Sequence, residues 1–291
     1  MDRPQQVSPI AVMNRAAIDT YDEIATKAQR VREIFASREI TIRNGSALSQ
    51  LLRQADVLSR EWSAGREPDI RVLAEAAHVN RLADSIISLP DETGIQEALR
   101  RMAGSVMQPD DRKASQGKDA LWEVALLADL KKAGLLAQAA EPDILVNLGT
   151  SDYPIACKKI WSERGLGKHI DKGAKQLEPF GNGGVIALNL DDLTPAGHVF
   201  IEQDSAGAKQ FLDAFNIEFV GRHWNLLQTA VMEGKCDGIL LSTTALCILS
   251  NANIAFNLIT QTSLWHLREA APEALDRFLG FANAHSAATR A

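Results

Sequence analysis

Four side chains follow one another along the chain in an order that suits metal-assisted hydrolysis: Glu123, Asp143, Lys158 and Gln176. Magnesium takes hard oxygen ligands, and carboxylates supply them. A bound divalent ion polarises a phosphate and lowers the pKa of its water. A lysine beside it can orient that water or stabilise the developing charge. Taken singly, each residue has a plainer reading. A Pro-Asp pair before a strand is most often a turn. A lysine-rich strand end is most often an edge that resists pairing. Glu123 and Gln176 on helices are most often surface groups. The functional reading therefore depends on their order and on the elements that carry them.

Those elements are legible. Lys118 to Ala133 is amphipathic, carries Glu123, and is stopped by Gly134 at the expected position past a helix end. Two apolar runs bounded by turn residues follow, EPDILVNLG and YPIACKKI, and each predicts a strand. Asp143 opens the first, after Pro142, and Lys158 closes the second. Residues 167–177 predict a helix carrying Gln176, and GNGG then turns into a buried strand, GVIALNLDDL. GNGG is not a phosphate-binding Walker loop, because no Gly-Lys-Ser/Thr follows. Adjacent strands lie about 4.8 Å apart, so residues at their ends can converge on one ion. Side chains alternate along a strand, which puts Ala156 and Lys158 on one face with Pro154 and sends Ile155 and Cys157 to the apolar face. That favours Lys158 over the other alignment, in which Lys159 is the working lysine and Cys157 takes the acidic slot.

The run EPDILV…IACKKIWS…IDKGAKQLE resembles the restriction-endonuclease-like, PD-(D/E)xK superfamily, above all members whose third strand reads (I/V)-E-C-K-R before a serine and whose later helix carries A-x-x-Q-L. The matches are Pro142, Asp143, Cys157, Lys158, Ser162, Ala174, Gln176 and Leu177, and they span about residues 118–190. The resemblance implies an α/β fold, with a restriction-endonuclease-like central mixed sheet flanked by helices. It implies Mg2+ or Mn2+ held by Asp143, Glu123 and the Cys157 backbone carbonyl. It also implies that Lys158 serves the attacking water and that Gln176 supports the site or touches phosphate. One departure stands out: the family places Glu or Asp two residues before the lysine, and this chain has Ala156, which can neither ligate a metal nor take a proton. The alanine is either natural degeneracy, leaving a binding remnant, or a Glu→Ala replacement that silences the enzyme. The intact surroundings favour the second. The implied activity is hydrolysis of DNA phosphodiester bonds, with defence against foreign DNA as a setting. The alternatives are a pseudonuclease that binds nucleic acid without cutting it, and a protein-interaction scaffold.

Charge agrees with a phosphate partner locally, though not globally. The formal net charge is -6, whereas Ala156 to Glu178 holds six basic residues against three acidic ones. Lys159, Ser162, Arg164, Lys168, Lys172 and Lys175 are the expected contacts to backbone phosphates, DNA before RNA. Trp161 beside Ser162 could stack a base or cover the sheet edge. Arg222, His223 and Trp224 form a tempting nucleic-acid cluster, but helical packing of Trp224 is the stronger reading. Three cysteines without a CxxC pair, and six histidines at no zinc spacing, argue against a disulfide framework or a zinc site. The apolar stretch from Gly238 to Ile259 is broken by Ser, Thr and Asn, which predicts two buried strands rather than a membrane span. No signal-peptide pattern opens the chain, and the expectation is a cytoplasmic protein.

Before this core, residues 1–115 read as an all-helical N-terminal domain. Helical periodicity covers Tyr21 to Ser37 and Ser46 to Trp62, then a third helix capped by Asp69, then roughly residues 95–107. Such helices could dimerise the protein, recognise DNA or bind a regulatory partner. QPDDRKASQG, residues 108–117, reads as a loop, and residues 116–291 form the nuclease-like domain. Later helices are expected around 204–215, 218–233 and 272–284.

Overall fold

The computed structural model describes residues 20–66, 70–149, 151–181, 183–195, 199–251 and 256–290. Four helices come first: α1 (Tyr21–Ser37), α2 (Ala47–Ser63), α3 (Ile70–Ile87) and α4 (Gln96–Gly104). A capping box starts α1, in which the Glu23 amide donates to the Thr20 hydroxyl and the Glu23 carboxylate accepts from the Thr20 amide at 2.6 Å. Ser46 caps α2 by a single bond, its hydroxyl accepting from the Ser49 amide. Both helices bury the stripe that their periodicity predicts, Ile24, Ala28, Val31 and Phe35 on one and Leu48, Leu51, Leu52, Ala55 and Leu58 on the other. The expected cap at Asp69 lies outside the described residues. The fourth helix is shorter than its sequence pattern, because a 3-10 turn at Thr93–Ile95 precedes it and it ends at Gly104.

Next come α5 (Gln116–Lys132), β1 (Leu136–Ala140), β2 (Asp143–Asn147), β3 (Asp152–Lys159), α6 (Leu166–Leu177) and β4 (Val185–Asn189). The chain continues through β5 (Val199–Glu202), α7 (Ser205–Arg222), α8 (Trp224–Met232), β6 (Gly238–Leu249), β7 (Phe256–Trp265) and α9 (Pro272–Arg290). The strands form one seven-stranded mixed sheet, ordered β1-β2-β3-β4-β6-β5, with β7 also paired to β6. β1, β2 and β3 form an antiparallel meander. β3, β4 and β6 run parallel. A parallel step needs a crossover, and α6 supplies it between β3 and β4.

Alternation along the central strands splits the core between the two faces. Ile155, Cys157, Val185, Ala187 and Leu240 face a cluster that includes α1 to α5 and the α9 residues Phe278 and Phe281. Ala156, Ile186, Leu188, Ile239 and Leu241 face a second cluster with Leu166, Ile170 and Leu177 of α6 and with α7 and α8. The architecture is thus helices on both faces of a mixed sheet. Apolar contacts run unbroken from the N-terminal helices into the sheet. Close approach requires glycine at Gly238 and at Gly184. A Cβ on Gly238 would lie 2.4 Å from the Phe278 ring, and Gly184, at φ +129, would place one 2.5 Å from the Pro154 carbonyl oxygen. The second explains the end of the GNGG turn, because β4 starts there against β3.

The long β6–β7 hairpin is the buried strand pair expected from Gly238 to Ile259. Several of its hydroxyls are satisfied internally: Thr243 donates to Asn216 at 2.6 Å, and Asn216 donates to Ser263 at 3.0 Å, whereas the buried Ser242 hydroxyl has no partner among the described residues. Among the described residues no helix is long and apolar enough to cross a membrane. β1 and β5 are additions to the predicted elements, and the break between the two late helices falls at His223 rather than near 216–217.

Candidate functional site

Asp143 is the first residue of β2. The ladder pairs Ile144 with Ile155, and one further step sets Asp143 opposite Ala156 on the same face. The Asp143 carboxylate accepts from the Cys157 amide at 2.7 Å and lies 3.5 Å from the Lys158 ammonium. Lys158 also donates to the Cys157 carbonyl at 2.6 Å. Both side chains are nearly enclosed. Burial pushes the Asp143 carboxyl up to about 6, with neighbouring Glu123 adding to the rise and the Lys158 ammonium and Cys157 amide opposing it.

The helices supply the rest. From α6, the Gln176 amide donates to the Pro142 carbonyl at 3.1 Å, so this helix pins the turn that carries Asp143. From α5, Glu123 faces the same place and receives both guanidinium nitrogens of Arg101 on α4, one at 3.1 Å and the other closer. Asp119, one turn earlier on α5, accepts from the Trp161 indole at 3.2 Å. Its carboxyl is raised, by burial first. A cavity of about 240 Å3 opens beside the group, bordered by Glu97, Arg101, Glu123 and Asp143. The fold therefore brings Asp143, Lys158, Glu123, Gln176 and the Cys157 carbonyl together. The sequence reading missed Arg101 and Asp119. Asp119 had a signal, since it stands four residues before Glu123 and so shares its helix face.

The structure gives Ala156 no exposure, and its methyl packs in the apolar cluster with Ile186 and Leu188. The Cys157 thiol points to the opposite face, buried, with its pKa raised well above the ordinary range by that burial. A divalent ion does not fit this donor set as it stands. Glu123 is taken by Arg101, the Cys157 carbonyl by Lys158, and the third acid is an alanine. Among the described residues no three His, Cys, Asp or Glu side chains are grouped to hold a metal.

The expected phosphate contacts divide in two. Ser162, Arg164, Lys168, Lys172 and Lys175 are exposed or half-buried on α6 and the turn leading into it. Lys168, Lys172 and Lys175 follow helical spacing, so they form one stripe. Lys159 must be removed from the set. It is buried, paired with Asp192 at 2.6 Å and donating to Asn189 at 2.6 Å. Strand alternation sends it away from Lys158, toward α5 and the strand ends, where it cannot meet a phosphate. Trp161 lies between two ammonium groups, Lys118 at 5.5 Å and Lys159 at 5.1 Å from its ring centre. Arg222 and His223 both bind Glu163, at 2.8 and 2.9 Å, and Trp224 packs edge-on against Trp265. Those three residues tie α7 and α8 to the rest of the fold. No protein-family model, curated protein or solved structure matches the chain.

Proposed function

We propose that this chain carries the core of a metal-dependent DNA nuclease of the PD-(D/E)xK type, in which Ala156 stands at the place of the motif acid. The chain as given then binds nucleic acid without cutting it. One observation carries the reading: the Asp143 carboxylate accepts from the Cys157 amide at 2.7 Å and lies 3.5 Å from the Lys158 ammonium. The arrangement of elements supports it, with the acid opening the second strand, the lysine one residue from the end of the third, and Glu123 on the helix before the first.

Each residue then has a task. Asp143 and a restored acid at 156 are the paired carboxylates. Lys158 balances charge at the reacting centre. Gln176 fixes the Pro142 turn and with it the position of Asp143. The basic stripe on α6 holds the sugar-phosphate backbone by charge, without reading sequence.

The test is a Mg2+-dependent cleavage assay on plasmid DNA, single-stranded DNA and RNA. It compares this chain with Ala156→Glu, and with Ala156→Glu combined with Asp143→Ala. Groups of this kind are worth roughly 100- to 10,000-fold in rate. Cleavage by Ala156→Glu that is abolished by Asp143→Ala is the expected result. No cleavage of any of the three substrates by a folded Ala156→Glu protein would overturn the nuclease reading, and cutting of RNA alone would move the substrate to RNA.

A further inference from the structure

The cavity beside Asp143 is lined by a cation of the chain itself, Arg101. Arg101 arrives from α4, in the N-terminal helical segment, and gives both terminal nitrogens to the Glu123 carboxylate. A guanidinium fork matches a carboxylate better than any other protein cation does. Asp143 and Asp119 add to the negative field at the same guanidinium. The pair is not sealed between two helices, because Arg101 and Glu123 both line the open cavity. Nor is the guanidinium fully satisfied, since its buried Nε has no partner. A bridge built only to join α4 to α5 would need neither the opening nor the neighbouring acids.

We propose that Arg101 is the resident counter-cation of this acid cluster, occupying Glu123 in the manner of a metal ion and competing with divalent metal for it. One carboxylate cannot offer both oxygens to a guanidinium and also bind a hard cation at full strength. The N-terminal helices thereby set the metal affinity of the site. The choice of metal as competitor rests on the nuclease reading, whereas the pairing itself does not.

The test is a Mn2+ titration of the full chain without nucleic acid, following the free Mn2+ signal by electron paramagnetic resonance. Arg101→Met should bind Mn2+ roughly tenfold or more tighter than the parent, the size of one charge-assisted pair. Arg101→Lys, which keeps the charge, should stay within about threefold of the parent on the same argument. Adding Glu123→Gln to Arg101→Met should erase the gain. If methionine leaves the helix pair too unstable, Arg101→Gln keeps a donor to Glu123, and the same gain is expected. Equal or weaker binding by the neutral variants, including none by any protein, overturns the proposal. Weaker binding by roughly 10- to 100-fold is what a residue that merely orients Glu123 would give. Because no nucleic acid is present, this result is independent of whether Ala156→Glu cuts.

Discussion

Replacing Asp143 with asparagine should make the protein relatively more stable as pH rises. The carboxyl is raised from 3.8 to about 6 in the folded protein, so the native state holds this proton more tightly than the unfolded chain does. A group raised in this way contributes stability that is fully present below its unfolded pKa and is lost as pH rises through its folded pKa. The loss falls between about pH 3.8 and pH 6. Each pH unit between those two values is worth about 1.4 kcal/mol, so the loss amounts to about 3 kcal/mol at most. Asparagine keeps the shape and an oxygen for the Cys157 amide but has no such titration. It also leaves the Lys158 ammonium without its carboxylate partner. The observable is therefore the difference between the two proteins, measured by urea unfolding at about pH 3.5 and about pH 7.5, on either side of that window. That difference should move in favour of Asp143→Asn by about 2–3 kcal/mol between the two conditions. A difference that stays constant, or moves toward the parent, would refute the claim that burial rather than Lys158 dominates this carboxylate.

Two further outcomes follow from the packing. Lys159→Ala removes the ammonium from Asp192 but leaves it Arg112 at 3.2 Å, so it should cost about 1–3 kcal/mol in urea unfolding, the size of one charge-assisted contact. Lys168→Ala with Lys172→Ala should leave stability nearly unchanged and weaken DNA binding, lowering the slope of log affinity against log salt by about 0.9 for each phosphate no longer neutralised. The reverse pattern would return Lys159 to the binding surface. Gly238→Ala places a methyl 2.4 Å from the Phe278 ring and 2.8 Å from the Trp265 carbonyl oxygen. It should destabilise by about 1–3 kcal/mol, read as a lower melting temperature, and an unchanged melting temperature would mean that α9 can shift away from β6.

The elements that carry the site can be read from sequence because their patterns are strong. α5 ends at a glycine in the left-handed region, and β2, β3 and β4 are short apolar runs between turn residues. β1 has no such signal. LAQAA neither alternates clearly nor holds β-branched residues, and Leu136 is 74% exposed. It is a strand because β2 offers it a ladder, a fact about partners rather than propensity. β5 has four residues and depends on β6 in the same way. Lys159 fails for a different reason. Counting basic residues along the segment groups it with the surface lysines, because a count ignores which way each side chain points. The alternation that selects Lys158 also assigns Lys159 to the other face, and applied to both residues it keeps Lys159 out of the phosphate strip.

Arg101 has no signal at all, because it meets Glu123 from another helix, 22 residues back. Its presence changes how the alanine at 156 should be understood. The two carboxylates at the heart of the group each have a cation of their own, Asp143 with Lys158 and Glu123 with Arg101. With alanine at 156 the charges balance in pairs, and nothing in the site calls for a metal ion. A third carboxylate opposite Asp143 would lie about 5 Å away across the strands. At an effective dielectric of about 20 that repulsion is about 3 kcal/mol. A proton on one of the two carboxyls or a further positive charge would relieve it, since both nearby cations are already engaged. The residue at 156 therefore governs both the acid count and the demand for a metal. On this argument a glutamate there should make the melting temperature respond to added divalent ions, while the alanine chain should be largely indifferent to them.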